Sequence, residues 1–541
     1  MKKTLIGLTS LLMVLAILMT GLVGCVSGSG TAPEATAGVE GNDGADATEA
    51  VSDTPKKTEL VVVTSTEPVY FNNLCPSMTN LPDTLVYSQI YDPLFYKDWN
   101  DGGKVKPYLA ENYEMSEDGL QIKVKLRDNV YFHNGYKLTS EDVKFTFDEM
   151  ATRTLGKALL INWDSVEIID DLNLIFHLKA PYGAIMNALC SRLDYISCKK
   201  YWDEVGGFDG YNANPIGTGP YKFVSALSGN EVVMERNDNY WNGAAAFEKC
   251  IVKTVSDTNT AVLAVENGDA DVALNLPLES LINLDDPAVN WNYDMSFEFG
   301  YLQYNFAPDS WVGNDTNFRK AVQYGINKDA VNEVVFYGKS NTPDILGDET
   351  WTGRPLAGTY ETYSYDVEKA KEYLAASNYK GQEFRVYTWA NTNLDKAAQV
   401  IQASLQEIGI NMKVTAVDRA SFWDIVRGTK DWDACLHCLG ASSLDMDGYN
   451  HFMMSMYPQY FNKDQVLPNG QAMSDLVMAG RLEPNEAKRI EIYTQLVNYI
   501  NEEAISIPVY QEINTALYNK DLKNVTADRA VPVNRFFNYT Y

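Results

Sequence analysis

Alternation and helical spacing divide the chain into recognisable pieces. Leu120, Ile122, Val124 and Leu126 alternate with Gln121, Lys123, Lys125 and Arg127, the pattern of a half-buried strand. Asn134-Gly135 then makes a turn. Thr139 stands three residues before Asp142, which predicts a helix N-terminus with an acid in its first turn. Val143, Phe147 and Met150 fall on one face of that helix. A hairpin follows, with Val166 and Ile168 leading into Asp170-Asp171 and Leu172, Leu174, Phe176 and Leu178 alternating back. Farther on, Leu394, Ala398, Ile401, Leu405 and Ile408 form a helical stripe that Gly409 ends, and Ile410, Met412 and Val414 begin a strand. Strands interleaved with helices predict an α/β body whose sheets are covered by helices. No internal repeat accompanies them.

The first residues depart from this pattern. Lys2 and Lys3 precede an apolar run from Leu5 to Val23, the form of a secretory signal. The run ends in Leu22-Val23-Gly24-Cys25, which resembles the lipobox of bacterial lipoproteins. That resemblance implies cleavage after residue 24 and acylation of Cys25. From Val26 to Lys57 small and polar residues dominate, with six acids and no aromatic before Tyr70, so residues 25–57 read as a lipidated, flexible acidic tether. No second apolar run approaches bilayer length.

Composition narrows the function. A chain of 541 residues and 60.5 kDa exceeds one core and suggests roughly three or four domain-sized units. Against 44 Lys and Arg stand 72 Asp and Glu, a net charge of -28, which excludes nucleic-acid binding through phosphates. The four histidines are scattered, which argues against a multi-histidine metal site and a catalytic histidine motif. Cys435-Leu436-His437-Cys438 has the look of half a metal or redox site, but zinc needs four ligands and no second pair accompanies it, so packing thiols or disulfide partners are expected.

Ordered motifs then carry a resemblance. Pro107-Tyr108-Leu109-Ala110-Glu111-Asn112-Tyr113-Glu114, Asp118-Gly119-Leu120, Leu126 to Gly135 and Leu138-Thr139-Ser140-Glu141-Asp142-Val143 come in one run. Pro215 to Tyr221, Arg236-Asn237-Asp238-Asn239-Tyr240-Trp241, Asn267 to Asp271, and Phe318 to Lys328 follow in order. Together they resemble the family 5 solute-binding proteins, the peptide- and nickel-type receptors of ABC importers, from about Glu59 to the C-terminus. Gly217, Gly219 and Pro220 read as a tight turn, and Arg127 with Asp128 as a salt-bridged one.

The resemblance implies a two-lobed α/β receptor of the periplasmic-binding-protein type (cluster C), with an extra subdomain in lobe I. Lobe I would comprise 58–300, with the subdomain at about 98–195, and the return segment 501–541; lobe II would comprise 301–500. Crossovers near Tyr301–Asn305 and Ala504–Pro508 would form the hinge. The receptor would be a monomer without cofactor or metal, held to the membrane by its lipid alone. It would deliver an oligopeptide, or alternatively an oligosaccharide, to permease subunits and their ATPases. A Gram-positive cell surface is the expected location.

The same resemblance locates a cleft. Met78, Thr79 and Asn80 would line it from lobe I. Peptide-binding relatives hold the free amine with an acid in the loop after the strand that is Asp431–Cys438 here; that position falls on Ser442 or Ser443, with Asp445 or Asp447 as substitutes. The strand ending Tyr387-Thr388-Trp389-Ala390-Asn391 lacks the arginine that dipeptide receptors use for the carboxylate, and Arg385 lies earlier. Losing both clamps argues against a short zwitterion, because an unpaired buried charge costs several kcal/mol. Trp389 offers a ring face for sugar. A secreted hydrolase is disfavoured, since neither Gly-x-Ser-x-Gly nor His-Glu-x-x-His occurs, and the Ser-x-x-Lys at Ser197 lacks companions.

Overall fold

The computed structural model describes residues 57–75, 81–347, 356, 358–360, 362–429, 431–440, 445–449, 470–527 and 535–541. The signal segment, Cys25 and the acidic tether as far as residue 56 lie outside them, as do Met78, Thr79, Asn80, Ser442 and Ser443. Among the described residues no helix is long and apolar enough to cross a membrane.

One sheet organises the body. From one edge it runs Met412–Val417, Phe384–Trp389, Ala434–Gly440, Val289–Tyr304, Ser506–Asn519, Val272–Leu274, Glu59–Thr64, Lys249–Thr254, Glu231–Arg236 and Tyr221–Leu227. Leu60-Val61-Val62-Val63 is a continuous apolar run because helices or loops cover both faces: Leu60 and Val62 enter one core, Val61 and Val63 another. The large core drawing on residues 60–274 and 516–539 fills one half of the sheet, and a second core built from residues 278–510 fills the other. Val289–Tyr304 and Ser506–Asn519 pair antiparallel along their length and join the halves, with register shifts between Met295 and Phe299 and between Gly300 and Tyr301. The outermost strand, Tyr221–Leu227, carries its own bulge between Phe223 and Ser225.

The elements read from periodicity are present. Gln121–Leu126 pairs antiparallel with Asn173–Leu178, which pairs with Trp163–Ile168 and so completes a four-stranded sheet with Ala110–Met115. The helix Ser140–Thr152 starts where the backbone N–H of Thr139 donates to Asp142 at 3.0 Å, and it buries Val143, Phe147 and Met150. The helix Asn393–Glu407 ends at Gly409 (φ +91°), a conformation that glycine adopts without strain, and Met412–Val417 follows, parallel to Phe384–Trp389. One expected contact is corrected. Arg127 does not pair with Asp128; its Nε donates to the Tyr108 carbonyl and its guanidinium lies 4.8 Å from the Trp241 ring centre, whereas Asp128 binds Lys137.

Gly300 sits on the crossing strand where a Cβ would come within 2.3 Å of the Tyr510 ring. Gly300→Ala is therefore expected to cost about 1–3 kcal/mol by overpacking, measured as a lower urea midpoint.

Candidate functional site

Three groups of side chains contain or adjoin the residues singled out in the sequence. The first surrounds Asp445 and Asp447, which begin the short helical segment after the strand Ala434–Gly440. Both are essentially without exposed surface. Arg489 donates to Asp445 Oδ1 at 2.7 Å, and Arg481 donates to both oxygens of Asp447 at 2.9 and 3.0 Å. These arginines come from the helices Glu486–Glu502 and Gly470–Leu482, so each carboxylate is matched within its own half. Asn187 and Tyr182 reach across from the opposite half, donating to Asp445 at 2.6 Å and to Asp447 at 3.1 Å. A cavity of about 410 Å³ opens beside this seam, lined by Lys97, Tyr113, Met115, Tyr182, Asn187 and Arg489 among others. Burial pulls the Lys97 ammonium down to about 8, against the opposing pull of Asp445.

The second group stands on the crossing strands. The bulge between Met295 and Phe299 sets Ser296, Phe297 and Glu298 against Glu512, and Glu298 is also in register with Gly440. Asn393, at the start of its helix, donates to Glu512 Oε2 at 3.1 Å, and Cys438 Sγ lies 3.9 Å from Glu298 Oε2. Burial, then the Glu298 charge, pushes the Glu512 carboxyl up to about 7 against the Asn393 hydrogen bond.

The third group holds Trp389 and Asn391, at the end of the strand Phe384–Trp389. Trp389 is half-buried, edge-on to Phe422 and Trp423, with the Arg419 guanidinium 4.6 Å from its ring centre. Its Nε1 is buried and makes no hydrogen bond. Asn391 is exposed in the left-handed region (φ +59°), and its N–H donates to Asp395 at 2.7 Å.

Of the residues singled out in the sequence, the structure brings Trp389 and Asn391 together at one strand end and Asp445 and Asp447 together at the seam. Strand alternation places Cys435 and His437 on one face and Cys438 on the other, so this stretch does not converge on one point. His437, driven down to about 3 by burial, is a neutral ring 4.4 Å from Tyr301. Sequence reasoning missed Arg481, Arg489, Glu298 and Glu512. A glutamate inside the otherwise uncharged strand Ser506–Asn519 was the available signal for the last.

Known proteins share this architecture. The family model described as bacterial extracellular solute-binding proteins, family 5 Middle, matches residues 104–461. The glutathione-binding protein GsiB of Pectobacterium atrosepticum is 28% identical over 382 residues, which cover 67% of this chain and 70% of that protein. GsiB of Salmonella paratyphi A is 27% identical over 478 residues, covering 84% and 89%. The ABC transporter substrate-binding protein CtaP of Listeria monocytogenes superposes with a TM-score of 0.76 at 21% identity, covering 89% of this chain and 99% of its own. The oligopeptide-binding protein AppA of Bacillus subtilis, solved with a nonapeptide, gives 0.68 at 23%, covering 90% and 99%. The fold is thus the two-lobed α/β type of these binding proteins.

Removing one partner of a buried ion pair strands the other. Arg489→Leu is expected to destabilise the protein by about 3–5 kcal/mol, read as a lower urea midpoint, and Asp445→Asn on that background should recover part of the loss. For Glu512 the folded carboxyl keeps a proton that the unfolded chain has released. Stability should therefore fall as pH rises from about 4.3, the ordinary glutamate value, through about 7. Glu512→Gln should flatten that slope in urea titrations at a series of pH values.

Proposed function

We propose an oligopeptide as the solute, since the chain belongs to the bacterial extracellular solute-binding proteins of family 5 and works as the solute-binding component of an ABC importer, without catalysis of its own. The observation that carries the choice is the state of Asp445 and Asp447. Arginines already balance both, and the strand end at Trp389 brings no arginine into the cleft for a carboxylate. A short zwitterion held at both ends finds no pair of clamps here, whereas a longer peptide keeps its termini near water. A structural neighbour solved with a nonapeptide supports the same solute class.

In this reading lobe I comprises 58–300, including the subdomain at 98–195, and the return 501–541; lobe II comprises 301–500. The division into two cores and the two crossing strands supports these bounds. The solute lies between the lobes beside those strands, with Trp389, Asn391, Ser442 and Ser443 on one side and Met78, Thr79 and Asn80 on the other. Asp445 and Asp447 fasten the closed cleft through Asn187 and Tyr182. A lipid on Cys25 tethers the monomer to the outer face of a Gram-positive membrane, where permease subunits and their ATPases receive the solute. An oligosaccharide is the second reading, favoured by the half-buried Trp389 ring, although Arg419 covers one of its faces.

Thermal unfolding of the purified protein against pools of peptides and of neutral oligosaccharides separates the two. A ligand at a hundred times its dissociation constant adds about 2.7 kcal/mol, so peptides should raise the midpoint and sugars should not. A shift with sugars alone would overturn the peptide reading.

A further inference from the structure

We propose that the cavity beside the seam seats a carboxylate of the solute, held by the ammonium of Lys97. The inference deepens the reading above and rests on it, since it names a group that the solute carries into the space between the lobes.

The placement of Lys97 is the observation that carries it. The strand Phe95–Asp98 pairs antiparallel with Lys104–Pro107, and its burial alternates, with Phe95 and Lys97 inward and Tyr96 and Asp98 outward. Phe95 does what an inward position ordinarily does and joins the large core. Lys97 takes the other inward position, is only 8% exposed, and lines the cavity of about 410 Å³. The acids of its own hairpin are bound elsewhere, Asp98 by Lys106 at 2.6 Å and Asp101 by Lys104 at 2.8 Å. Burial draws the Lys97 ammonium down to about 8, so the acids around it, Asp445 foremost, do not make up for the water it has lost.

The other charged groups of the wall are accounted for. Arg489 donates to Asp445 at 2.7 and 3.2 Å, so that pair adds no net charge. Lys104 is exposed and bound to Asp101, and Glu486 is exposed in the first turn of its helix, where water screens both. Lys97 is thus the withdrawn cation on the wall of an open volume. That volume falls within the range of small-molecule pockets, roughly 300–1,000 Å³, and Tyr113, Met115 and Met186 give it apolar wall for a solute's hydrocarbon. An ammonium only donates and a carboxylate only accepts, so the two are complementary, and away from bulk water their attraction exceeds that of a surface pair. Residues from Lys97 to Asn187 form one wall and Pro484, Glu486 and Arg489 the other, so a carboxylate seated there lies between the lobes.

The test uses the full protein and three matched peptides. Two carry a central glutamate or glutamine with both ends blocked, and the third is the glutamine peptide with its C-terminus free. Succinate serves as a free dicarboxylate. Titration calorimetry should show the glutamate peptide, or the one with a free C-terminus, binding about tenfold or more tightly than the fully blocked glutamine peptide. The first result makes the acid a side chain's and the second makes it the chain end's. Either supports the inference when the preference disappears in Lys97→Met and Lys97→Gln, judged on whichever of these keeps the parent's urea midpoint. Equal binding of all three peptides overturns the inference and leaves the peptide reading standing. Succinate binding that is lost with the Lys97 charge, with no peptide bound, supports the inference and overturns the peptide reading. Binding of no probe, or a preference that survives loss of the Lys97 charge, overturns the inference.

Discussion

The pairing of Val289–Tyr304 with Ser506–Asn519 is the interaction on which the rest depends. These strands are the two routes by which the sheet passes from one core to the other, and they hydrogen-bond to each other along the way. Two lobes joined by unpaired linkers would have many relative orientations. Joined by a ladder, the two halves share one sheet, whose register shifts between Met295 and Tyr301. The same irregularity sets Glu298 against Glu512. The place where the sheet bends is therefore also the place where it presents charge.

Charge in the cleft is handled by two different rules. At the seam, Asp445 and Asp447 are fully withdrawn from water, and arginines from later helices neutralise them. Such pairs define position more than they add stability, since desolvation consumes much of their attraction. Their remaining hydrogen-bonding capacity is used across the seam by Asn187 and Tyr182. On the crossing strands, by contrast, the carboxylates keep some contact with water and have no arginine of their own.

Local structure was legible because it is written in near neighbours. The alternation of Leu120 to Arg127, the Thr139–Asp142 cap and the Gly409 stop depend on spacings of two to four residues, and all three stand where the pattern puts them. The ordered motifs identified the architecture. The partners of charged residues were not legible, because Asp445 meets an arginine 44 positions away and Tyr182 meets Asp447 across 265. Arg127 shows the same failure at short range: its neighbour Asp128 was the obvious partner, yet the indole of Trp241 and a carbonyl hold it. Glu298 and Glu512 look like ordinary strand acids until a bulge, which sequence does not announce, sets them face to face.

At its far end the sheet stops at Tyr221–Leu227, where Val224 and Leu227 are more than half exposed. An open edge with apolar side chains is a template on which a second copy could add a strand. The bulge at Phe223–Ser225 breaks the regular spacing of donors and acceptors that such addition requires. The extra residue in this edge strand thus works against strand addition by a second copy.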